Sequence, residues 1–417
     1  MLLKQPVKIC IVGAGSRGNA YSQYVKAHPE KAVITAVAEP REYYRRQMAK
    51  EFNIDDKNSF NGWQELAARE KIADAVLICT HDNMHIEPTI AFIEKGYDIL
   101  LEKPMASTEH QCKKIVDAAV KKRVIFGVCH VLRYTQYTQK LKTMLDSGVI
   151  GDIVSIQHLE PIGYWHFAHS YVRGNWRNEE ESSCMLLAKS CHDLDWLRYI
   201  AGSKFTKISS FGSLRHFKSE NKPQHASGRC VSCGFEEKCP YSAKKIYFKR
   251  AKQNQFNWPV NVITQDLTIK GVNKAIADGP YGRCVYDCDN DVVDNQVVNM
   301  EFENGITASF TVTAFTEMTD RRTRIFGTKG EINGNGSQIQ CYNFLNDTKE
   351  VIDVNNSDGS ILTNHGGGDL ELMKAFVNAV AAQDQNCILS GPLESLETHL
   401  SVFAAENSRK KGQIISL

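Results

Sequence analysis

The sequence predicts an α/β fold, in which a doubly wound parallel sheet precedes an α+β domain with a large, mostly antiparallel sheet. Apolar runs at residues 7–12, 33–38, 75–80 and 99–101 have the length of buried strands. Helical segments separate these runs, which is the βαβ pattern of a parallel sheet. From residue 151 longer strands take over, with a hairpin signal at Asn304 and Gly305. In a chain of 417 residues this predicts two domains, 1–129 and 130–417.

The composition excludes several classes of partner. Hydrophobic residues make up 42% of the chain and charged residues 24%, as in ordinary globular proteins. Lys and Arg number 50 against 48 Asp and Glu, so the net charge of +2 gives no attraction to nucleic acid or an anionic membrane. No window approaches the roughly 20 apolar residues of a membrane span, and the N-terminus has no signal-peptide pattern. Thirteen cysteines without a secretory signal predict free thiols or metal ligands in a reducing cytoplasm.

A glycine motif follows the first predicted strand. Gly13, Gly15 and Gly18 form a complete G-x-G-x-x-G, and a helical segment begins directly after it. The first glycine makes the tight turn, the second lets backbone approach a pyrophosphate, and the third lets the helix pack on the strand. Ser16 and Arg17 lie inside this loop and are predicted to contact the cofactor. Residues 1–129 are therefore predicted to form a Rossmann domain that binds a dinucleotide.

An acidic residue ends the second predicted strand. Glu39 stands where a carboxylate can accept hydrogen bonds from the ribose hydroxyls of the adenosine. It would repel a 2′-phosphate, which favours NAD over NADP. Arg41 is the counter-argument, because an arginine two residues on could bind that phosphate. The sequence thus predicts NAD, with NADP as the alternative.

A third signal stands at the end of a later strand. The apolar run 99–101 stops at Glu102, Lys103 and Pro104, and proline cannot continue a strand ladder. Open α/β sheets bind their ligands at the carboxyl ends of strands. A lysine amine at this place can assist the proton transfer that accompanies hydride transfer from a carbinol. A solvated surface lysine is the alternative.

These motifs occur in an order that resembles a known family. The shared elements are the glycine loop, Glu39, Thr80-x-x-x-x-His85, Glu102-Lys103-Pro104, Arg133-Tyr134 and Asp146-x-Gly148-x-Ile150-Gly151. The sequence resembles the Gfo/Idh/MocA oxidoreductases from about residue 7 to 151, and again around 191–196. The resemblance implies that Lys103 lies beside the nicotinamide and assists proton transfer at a sugar hydroxyl. It also implies a cofactor site that includes Thr80, His85 and Glu102.

The resemblance extends to the second domain. It implies an α+β substrate domain whose large sheet uses one face as a subunit interface, and hence a homo-oligomer, either a dimer or a tetramer. His192 begins the helix that faces the cofactor in related enzymes, which makes it the second catalytic candidate. Ala188 stands where many relatives have an aspartate. Lys189 beside it is the third catalytic candidate, since a second positive charge in the site would repel that of Lys103. A structural hydrogen bond is the alternative role for His192.

An aromatic segment at residues 163–177 suits carbohydrate. Ring faces pack on sugar C–H groups, and multi-donor side chains bind hydroxyls. An aromatic loop packed on the core is the alternative. The predicted substrate contacts are Tyr164, His166, His169, Arg173 and Trp176, with Arg133 added from the resemblance.

A cysteine-rich insertion occupies about residues 213–292. Cys230, Cys233 and Cys239 are closely spaced, and Cys284 and Cys288 follow later. Such spacing is typical of a tetrahedral zinc site that would stabilise an excursion too small to build its own core. The predicted ligands are Cys230, Cys233, Cys239 and Cys284, with Cys288 as the other choice for the fourth position. Unliganded thiols are the alternative.

Three functions fit these observations. The leading one is an NAD-dependent oxidoreductase that acts on a small carbohydrate substrate, namely a sugar, polyol or glycoside. The second is a redox-neutral enzyme, in which transient oxidation acidifies a neighbouring C–H bond, a leaving group is eliminated, and the hydride returns. The third is a non-catalytic regulator that responds to NAD.

Overall fold

Two β-sheets organise the chain, as the sequence predicts. The computed structural model describes residues 5–354 and 364–417. The first six strands form a parallel sheet, and the other nine form a mixed, mostly antiparallel sheet. The predicted fold class is therefore confirmed.

The fifteen strands of the described residues are numbered in chain order. They are β1 (Val7–Val12), β2 (Ala32–Ala38), β3 (Ser59–Phe60), β4 (Ala75–Ile78), β5 (Asp98–Leu101), β6 (Phe126–Val128), β7 (Ile153–Pro161), β8 (Phe205–Ser213), β9 (Asn295–Phe302), β10 (Thr307–Thr313), β11 (Arg322–Gly327), β12 (Gly330–Gly334), β13 (Gln338–Asn343), β14 (Thr348–Asp353) and β15 (Ile415–Ser416).

The α-helices of the same residues are also numbered in chain order. They are α1 (Ser16–Ala27), α2 (Glu42–Glu51), α3 (Trp63–Ala68), α4 (Ile86–Glu94), α5 (Glu109–Lys122), α6 (Gln136–Asp146), α7 (Tyr164–Phe167), α8 (Met185–Ala201), α9 (Lys249–Lys252), α10 (Val260–Ile263), α11 (Ile269–Asp278), α12 (Gly368–Ala382) and α13 (Pro392–Lys411).

The parallel sheet has the order β3-β2-β1-β4-β5-β6. All residues of β4 and β5 are buried, because helices cover both faces of the sheet and leave no polar side. The strand order reverses between β1 and β4, which creates a crevice at their carboxyl ends. β5 is the fifth strand along the chain, as predicted, and Glu102 and Lys103 follow it at this edge.

The second sheet has the order β14-β13-β12-β11-β7-β10-β9-β8-β15. Its neighbours are antiparallel except for β7 and β10, which run parallel. The hairpin predicted at Asn304 and Gly305 joins β9 to β10, and Gly305 has a φ of +84°. β8 is nine residues long, which is typical of the longer strands predicted after residue 151.

The two halves of the chain interlock more than the predicted boundary at 129/130 implies. On α12, Leu372, Met373 and Phe376 pack in one cluster with Ile9 and Ile11 of the parallel sheet. This helix therefore covers a face of the Rossmann sheet although it lies near the C-terminus. No helix in the described ranges has the length and hydropathy needed to cross a membrane.

The insertion has a core of its own, contrary to the expectation that it is too small for one. Ile246, Tyr247, Val260, Val272 and Ile276 are buried together in a separate cluster. This core forms because α11 and the turns before it stack their apolar faces. None of the 13 cysteines forms a disulfide, in agreement with the predicted free thiols.

Candidate active site

The glycine loop has the geometry of a dinucleotide cradle. Gly13 has a φ of +93°, and a Cβ there would lie 2.5 Å from the Cys79 carbonyl oxygen. A Cβ at Gly18 would lie 2.2 Å from the Gly13 carbonyl oxygen, so the helix reaches the strand only through glycine. A Cβ at Gly15 would meet only a side-chain nitrogen of Arg41, at 3.2 Å. The loop is thus tight on its protein side and open where a pyrophosphate would approach α1, which begins at Ser16.

Glu39 is fixed at the end of β2. Its buried carboxylate accepts hydrogen bonds from the backbone N–H groups of Ala14 and Arg41, at 2.9 and 3.0 Å. The Nε and Nη2 groups of Arg41 also donate to it, at 2.7 and 2.9 Å. Burial alone would raise the pKa of Glu39, but these donors hold it below its usual value. Arg41 is therefore paired with the carboxylate that a ribose would approach.

Glu102 is the acceptor in a charged cluster between the two domains. Its carboxylate accepts from Arg17 Nε at 2.5 Å and from the Tyr21 hydroxyl at 2.7 Å. Arg17 also donates from Nη2 to Asp369 at 2.7 Å. Burial would raise the pKa of Glu102, but Arg17 outweighs that effect and keeps it low. Arg17 and Glu102, predicted to contact the cofactor, are thus bonded to each other, because the buried carboxylates need a cation.

Lys103 points away from this cluster. Its amine donates to the backbone carbonyl of Ala188, in the first turn of α8. Glu102 instead accepts from the backbone N–H of Lys103, at 2.7 Å. The Lys103–Pro104 peptide is cis. The catalytic lysine predicted from the sequence is therefore positioned between the end of β5 and the start of α8.

His192 lies one helical turn beyond Ala188, so α8 carries both the anchor of Lys103 and the histidine. The His192 ring is 5.9 Å from the ring of His130, which in turn is 5.7 Å from that of His399. Burial lowers the pKa of His130 to about 3 and that of His399 to about 4. His399 accepts from the Met105 N–H at 2.8 Å. Neutral histidines therefore support the segment that follows Pro104.

Lys189 is not a free second amine. Its Nζ lies 3.1 Å from a carboxylate oxygen of Glu160 on β7, and Arg321 Nη2 lies 2.9 Å from the other oxygen. Arg321 also pairs with Asp193, whose pKa is lowered because Arg321 and His158 outweigh its burial. The expected repulsion between Lys189 and Lys103 is therefore reduced by a carboxylate that the sequence pattern did not reveal.

Thr80 and His85 brace the cofactor edge. The His85 ring is buried, with Nδ1 2.7 Å from the Pro104 carbonyl oxygen and Nε2 3.1 Å from that of Thr80. The Thr80 hydroxyl donates to the Met84 carbonyl at 3.3 Å. Carbonyl oxygens thus face both ring nitrogens of His85. The residue predicted to contact the cofactor therefore connects the turn after β4 to the turn after β5.

Arg133 is buried and bonded to protein groups. It donates from Nε and Nη2 to the two carboxylate oxygens of Asp195, at 2.6 and 2.7 Å. Its Nη1 donates to the Leu389 carbonyl. The bidentate pair joins Arg133 to α8, and the Nη1 bond joins it to the chain before α13. The predicted substrate contact loses its support, since the guanidinium is consumed by this structural bond.

The aromatic segment gains a partner from the insertion. Tyr164 is 40% exposed, and the His166 ring lies 5.0 Å from the ring of Trp258. Trp258 also lies 5.2 Å from Trp165 and is 37% exposed. Burial lowers the pKa of His166, as does the nearby charge of Lys189. Tyr164 and Trp258 thus leave ring surface open, and Trp258 does so next to His166. Sequence reasoning missed Trp258, which no local motif marks.

The remaining three predicted substrate residues are held by protein groups. His169 is buried and lies 2.9 Å from the Tyr247 hydroxyl through Nδ1. Trp176 donates to Asp82 at 3.4 Å. Arg173 donates to the carbonyl oxygen of Arg283 at 2.8 Å and is only 2% exposed. The contacts of His169 and Arg173 attach the segment to the insertion, whereas Trp176 attaches it to the turn after β4. They favour a structural role for His169 and Trp176.

The cysteines do not form a metal site. Cys230, Cys233, Cys239 and Cys284 line one small cavity of about 20 Å³, so the sequence spacing correctly predicts that they converge. Yet no group of three or more His, Cys, Asp or Glu side chains in the described ranges could hold a metal ion. Cys230 accepts N–H groups from Arg173 and Ala243 instead. The predicted zinc site is therefore not supported, and Cys288 donates to the Cys284 carbonyl at 3.2 Å.

Family models match almost the whole chain. The Gfo/Idh/MocA model of an oxidoreductase family with an NAD-binding Rossmann fold matches residues 7–130. The model of its C-terminal α/β domain matches residues 142–417. The chain belongs to the Gfo/Idh/MocA oxidoreductase family. It is thus an oxidoreductase with an NAD-binding domain, as its sequence motifs predict.

Three similar proteins illustrate the range of the family. The putative oxidoreductase YteT of Bacillus subtilis is 24% identical over 319 residues, which cover 72% of this chain and 71% of YteT. The 2,7-anhydro-N-acetylneuraminate hydratase of Escherichia coli is 26% identical over 207 residues, 49% of this chain and 53% of that enzyme. A levoglucosan dehydrogenase in complex with NADH and levoglucosan shares the fold over 99% of both chains, with a TM-score of 0.73 and 18% identity.

Proposed function

We propose that this protein is an NAD-dependent dehydrogenase that transfers a hydride between the nicotinamide and a hydroxyl carbon of a sugar, polyol or glycoside. The observation that carries the proposal is the bond from the Lys103 amine to the Ala188 carbonyl. It holds the amine at the carboxyl end of β5, next to the crevice of the parallel sheet. Bound NAD supplies the hydride acceptor.

In this proposal the chain's own residues move the proton and orient the substrate. Lys103 takes the hydroxyl proton as the hydride leaves, since a carbonyl anchor leaves the amine without a carboxylate partner in the described residues. His192, on the helix α8 that carries Ala188, orients the reacting hydroxyl or relays the proton. Tyr164 and Trp258 offer ring faces to the C–H side of the sugar.

NAD is favoured over NADP by the way Glu39 and Arg41 are paired. The carboxylate occupies the place where a 2′-phosphate would need a cation, and Arg41 already spends two N–H groups on that carboxylate. A 2′-phosphate would therefore be repelled by the Glu39 carboxylate, and Arg41 is already paired with that carboxylate. We expect NADH to bind more tightly than NADPH.

A redox-neutral reaction is the second candidate, because one relative is a named hydratase. In that case Lys103 and His192 would serve in succession as base and acid, and the hydride would return to the substrate. The residues are the same, so their geometry does not separate the two reactions. Net formation of NADH distinguishes the two reactions, because only the dehydrogenase reaction produces it.

The test is a panel of monosaccharides, inositols, anhydrosugars and glycosides, assayed with NAD and separately with NADP. Each reaction is followed both by the absorbance of NADH and by chromatography of the sugar products. Net NADH formation with a keto-sugar product is the expected result. Product formation without net NADH would identify the redox-neutral reaction, and a panel with no product in either readout would contradict the proposal.

The open face of the second sheet is the proposed subunit interface. Phe211 on β8 is 66% exposed and lies opposite Val297 on β9, which is also exposed. Val154 on β7 adds a further exposed apolar side chain. Apolar side chains in the middle of a sheet face are unfavourable in water and are typical of interfaces. A homo-oligomer, dimer or tetramer, would cover them.

A further inference from the structure

The insertion and the segment before α8 enclose a cleft that the proposed reaction does not use. Its volume is about 410 Å³, within the range of small-molecule sites. Four arginines line it, namely Arg173, Arg177, Arg229 and Arg283, and we call it the arginine cleft. Asp278 is the one carboxylate among its lining residues within the described chain.

Two of the four arginines are compensated by carboxylates. Arg177 pairs with Asp289 at 2.9 Å and with Glu181 at 2.8 Å. Arg283 pairs with the same Asp289 at 2.8 Å. The pKa of Asp289 is lowered well below its usual value by hydrogen bonds from Arg177, with a smaller contribution from Arg283. These two charges are therefore largely balanced at the rim.

The other two arginines have no carboxylate partner in the part of the chain that the structure describes. Arg173 donates to backbone carbonyl oxygens and to the Cys230 sulfur. Arg229 donates from Nη2 to the Ile276 and Gly279 carbonyls. Arg173 is 2% exposed, and an arginine remains charged at any physiological pH. A buried cation without a counter-charge is costly, so this arrangement favours a bound anion.

The hydrogen-bond inventory points the same way. The Nη1 of Arg173 and the Nε of Arg229 are buried and have no hydrogen-bond partner among the described residues. Buried polar groups are nearly always satisfied in folded proteins, and an unmet donor on a charged group costs more than on a neutral one. Guanidinium forks match the paired oxygens of carboxylates and phosphates. The unmet donors thus belong to the two arginines that also lack a carboxylate.

We propose that the arginine cleft binds an oxyanion carried by a small molecule, either the carboxylate of a sugar acid or a phosphate group. Tyr281 in the cleft wall stacks on His169 at 5.0 Å, and His169 lies 5.6 Å from Trp258. Buried ring contacts therefore connect the wall of the cleft to Trp258, and Tyr281 places a ring beside the four arginines. A sugar acid or a sugar phosphate would meet both the charge and this ring.

The test is isothermal titration of the full-length protein saturated with NADH, using inorganic phosphate, glucose 6-phosphate, glucuronate and neutral glucose. Binding does not require turnover, and a variant of the cleft separates binding at the cleft from binding at the proposed active site, so failure of this proposal is distinguishable from failure of the proposed dehydrogenase reaction. We expect at least one of the anions to bind and glucose not to bind at the cleft. Binding of glucuronate alone identifies a carboxylate ligand, whereas binding of either phosphate compound identifies a phosphate ligand.

Arg229→Gln removes one uncompensated charge and keeps a polar side chain of similar length. We expect it to weaken anion binding about tenfold, because it removes a charge-assisted hydrogen bond. Arg283→Gln is the second variant if Arg229→Gln does not fold. Arg69→Gln is the matched control, since Arg69 donates to the Lys57 carbonyl outside the cleft. Anions that bind no better than glucose, or equal binding by the cleft variant and the control, would overturn the proposal.

Discussion

Buried charges are paired differently in two regions. One is the cluster of Arg17, Glu102 and Asp369 beside the proposed nicotinamide site, which we call the nicotinamide edge, and the other is the arginine cleft. At the edge, Arg17 joins Glu102 and Asp369, so carboxylates and cation satisfy one another without a ligand. In the cleft, Arg173 and Arg229 donate to carbonyl oxygens and a thiol, and neither has a carboxylate partner in the described residues. The first arrangement stabilises the junction of the two domains. The second arrangement leaves positive charge that the proposed oxyanion ligand would neutralise.

Lys103 shares the second pattern although it lies at the nicotinamide edge. The neighbouring Glu102 turns to Arg17, and the lysine amine is left with the carbonyl of Ala188. Paired charges therefore build the fold, whereas cations without carboxylate partners mark the places where chemistry or binding is proposed. Substitutions on each side of this contrast should have different consequences.

The largest effect is expected for Lys103→Met. Loss of the proton acceptor should lower kcat by about 10²- to 10⁴-fold, while the affinity for NADH stays close to that of the wild type. Steady-state rates on the best substrate of the panel, together with NADH titration, measure both quantities. Lys113→Met is the control, since this exposed lysine only pairs with Glu109 on the same helix. Equal rates for the variant and the control would remove Lys103 from the mechanism.

Arg17→Met tests the paired charges, because Arg17 joins Glu102 and Asp369. The Arg17 side chain is 29% exposed, so we expect a loss of about 2 to 3 kcal/mol in the free energy of unfolding at neutral pH, below the range for fully buried pairs. Arg46→Met, on an exposed i,i+4 pair, should cost no more than about 0.5 kcal/mol. Urea unfolding measures both variants.

The cost of Arg17→Met should depend on pH. In the wild type the folded pKa of Glu102 is depressed, so its contribution to stability is complete above its ordinary value of 4.5 and is lost as the pH falls through the folded value. In the variant burial raises that pKa, so the native state gains protons on acidification. The gap between the two proteins should therefore narrow at about pH 4. A gap that is constant with pH would mean that the loss is one of packing.

The smallest effect is expected for Trp258→Ala. Removal of an exposed ring should raise KM about tenfold with little change in kcat, because the ring binds substrate and transition state alike. Phe344→Ala is the control, since Phe344 is exposed on the turn after β13, on the far strands of the second sheet. A change confined to kcat would assign Trp258 to the reacting geometry rather than to the sugar platform.

The sequence predicted the parallel sheet and the position of Lys103 because both depend on local patterns. Glycines, apolar runs and a terminating proline act within a few residues of where they stand. The partners of Glu102 and Lys189 could not be predicted in this way. Arg17 and Asp369 are far apart in the chain, and Glu160 meets Lys189 only through the packing of β7 on α8.

In the insertion, too, the sequence predicted only part of the structure. Its cysteine spacing correctly predicted that four thiols converge on one cavity, yet spacing alone did not give a metal-binding arrangement. The small core around Tyr247 and Ile276 was missed, because most of its apolar residues lie on short turns and α11 gives only a short helical pattern, with Val272 and Ile276 one turn apart. The ring contacts of Trp258 depend on that core and were equally invisible.

The most direct test of the account is single-turnover formation of NADH by Lys103→Ala, measured with and without added ethylamine. If Lys103 carries the proton, NADH should form slowly in the variant, and ethylamine should accelerate the variant but not the wild type. NADH formation as fast as in the wild type would contradict the account. A slow reaction that ethylamine leaves unchanged would contradict it as well, since it would give Lys103 a structural role only.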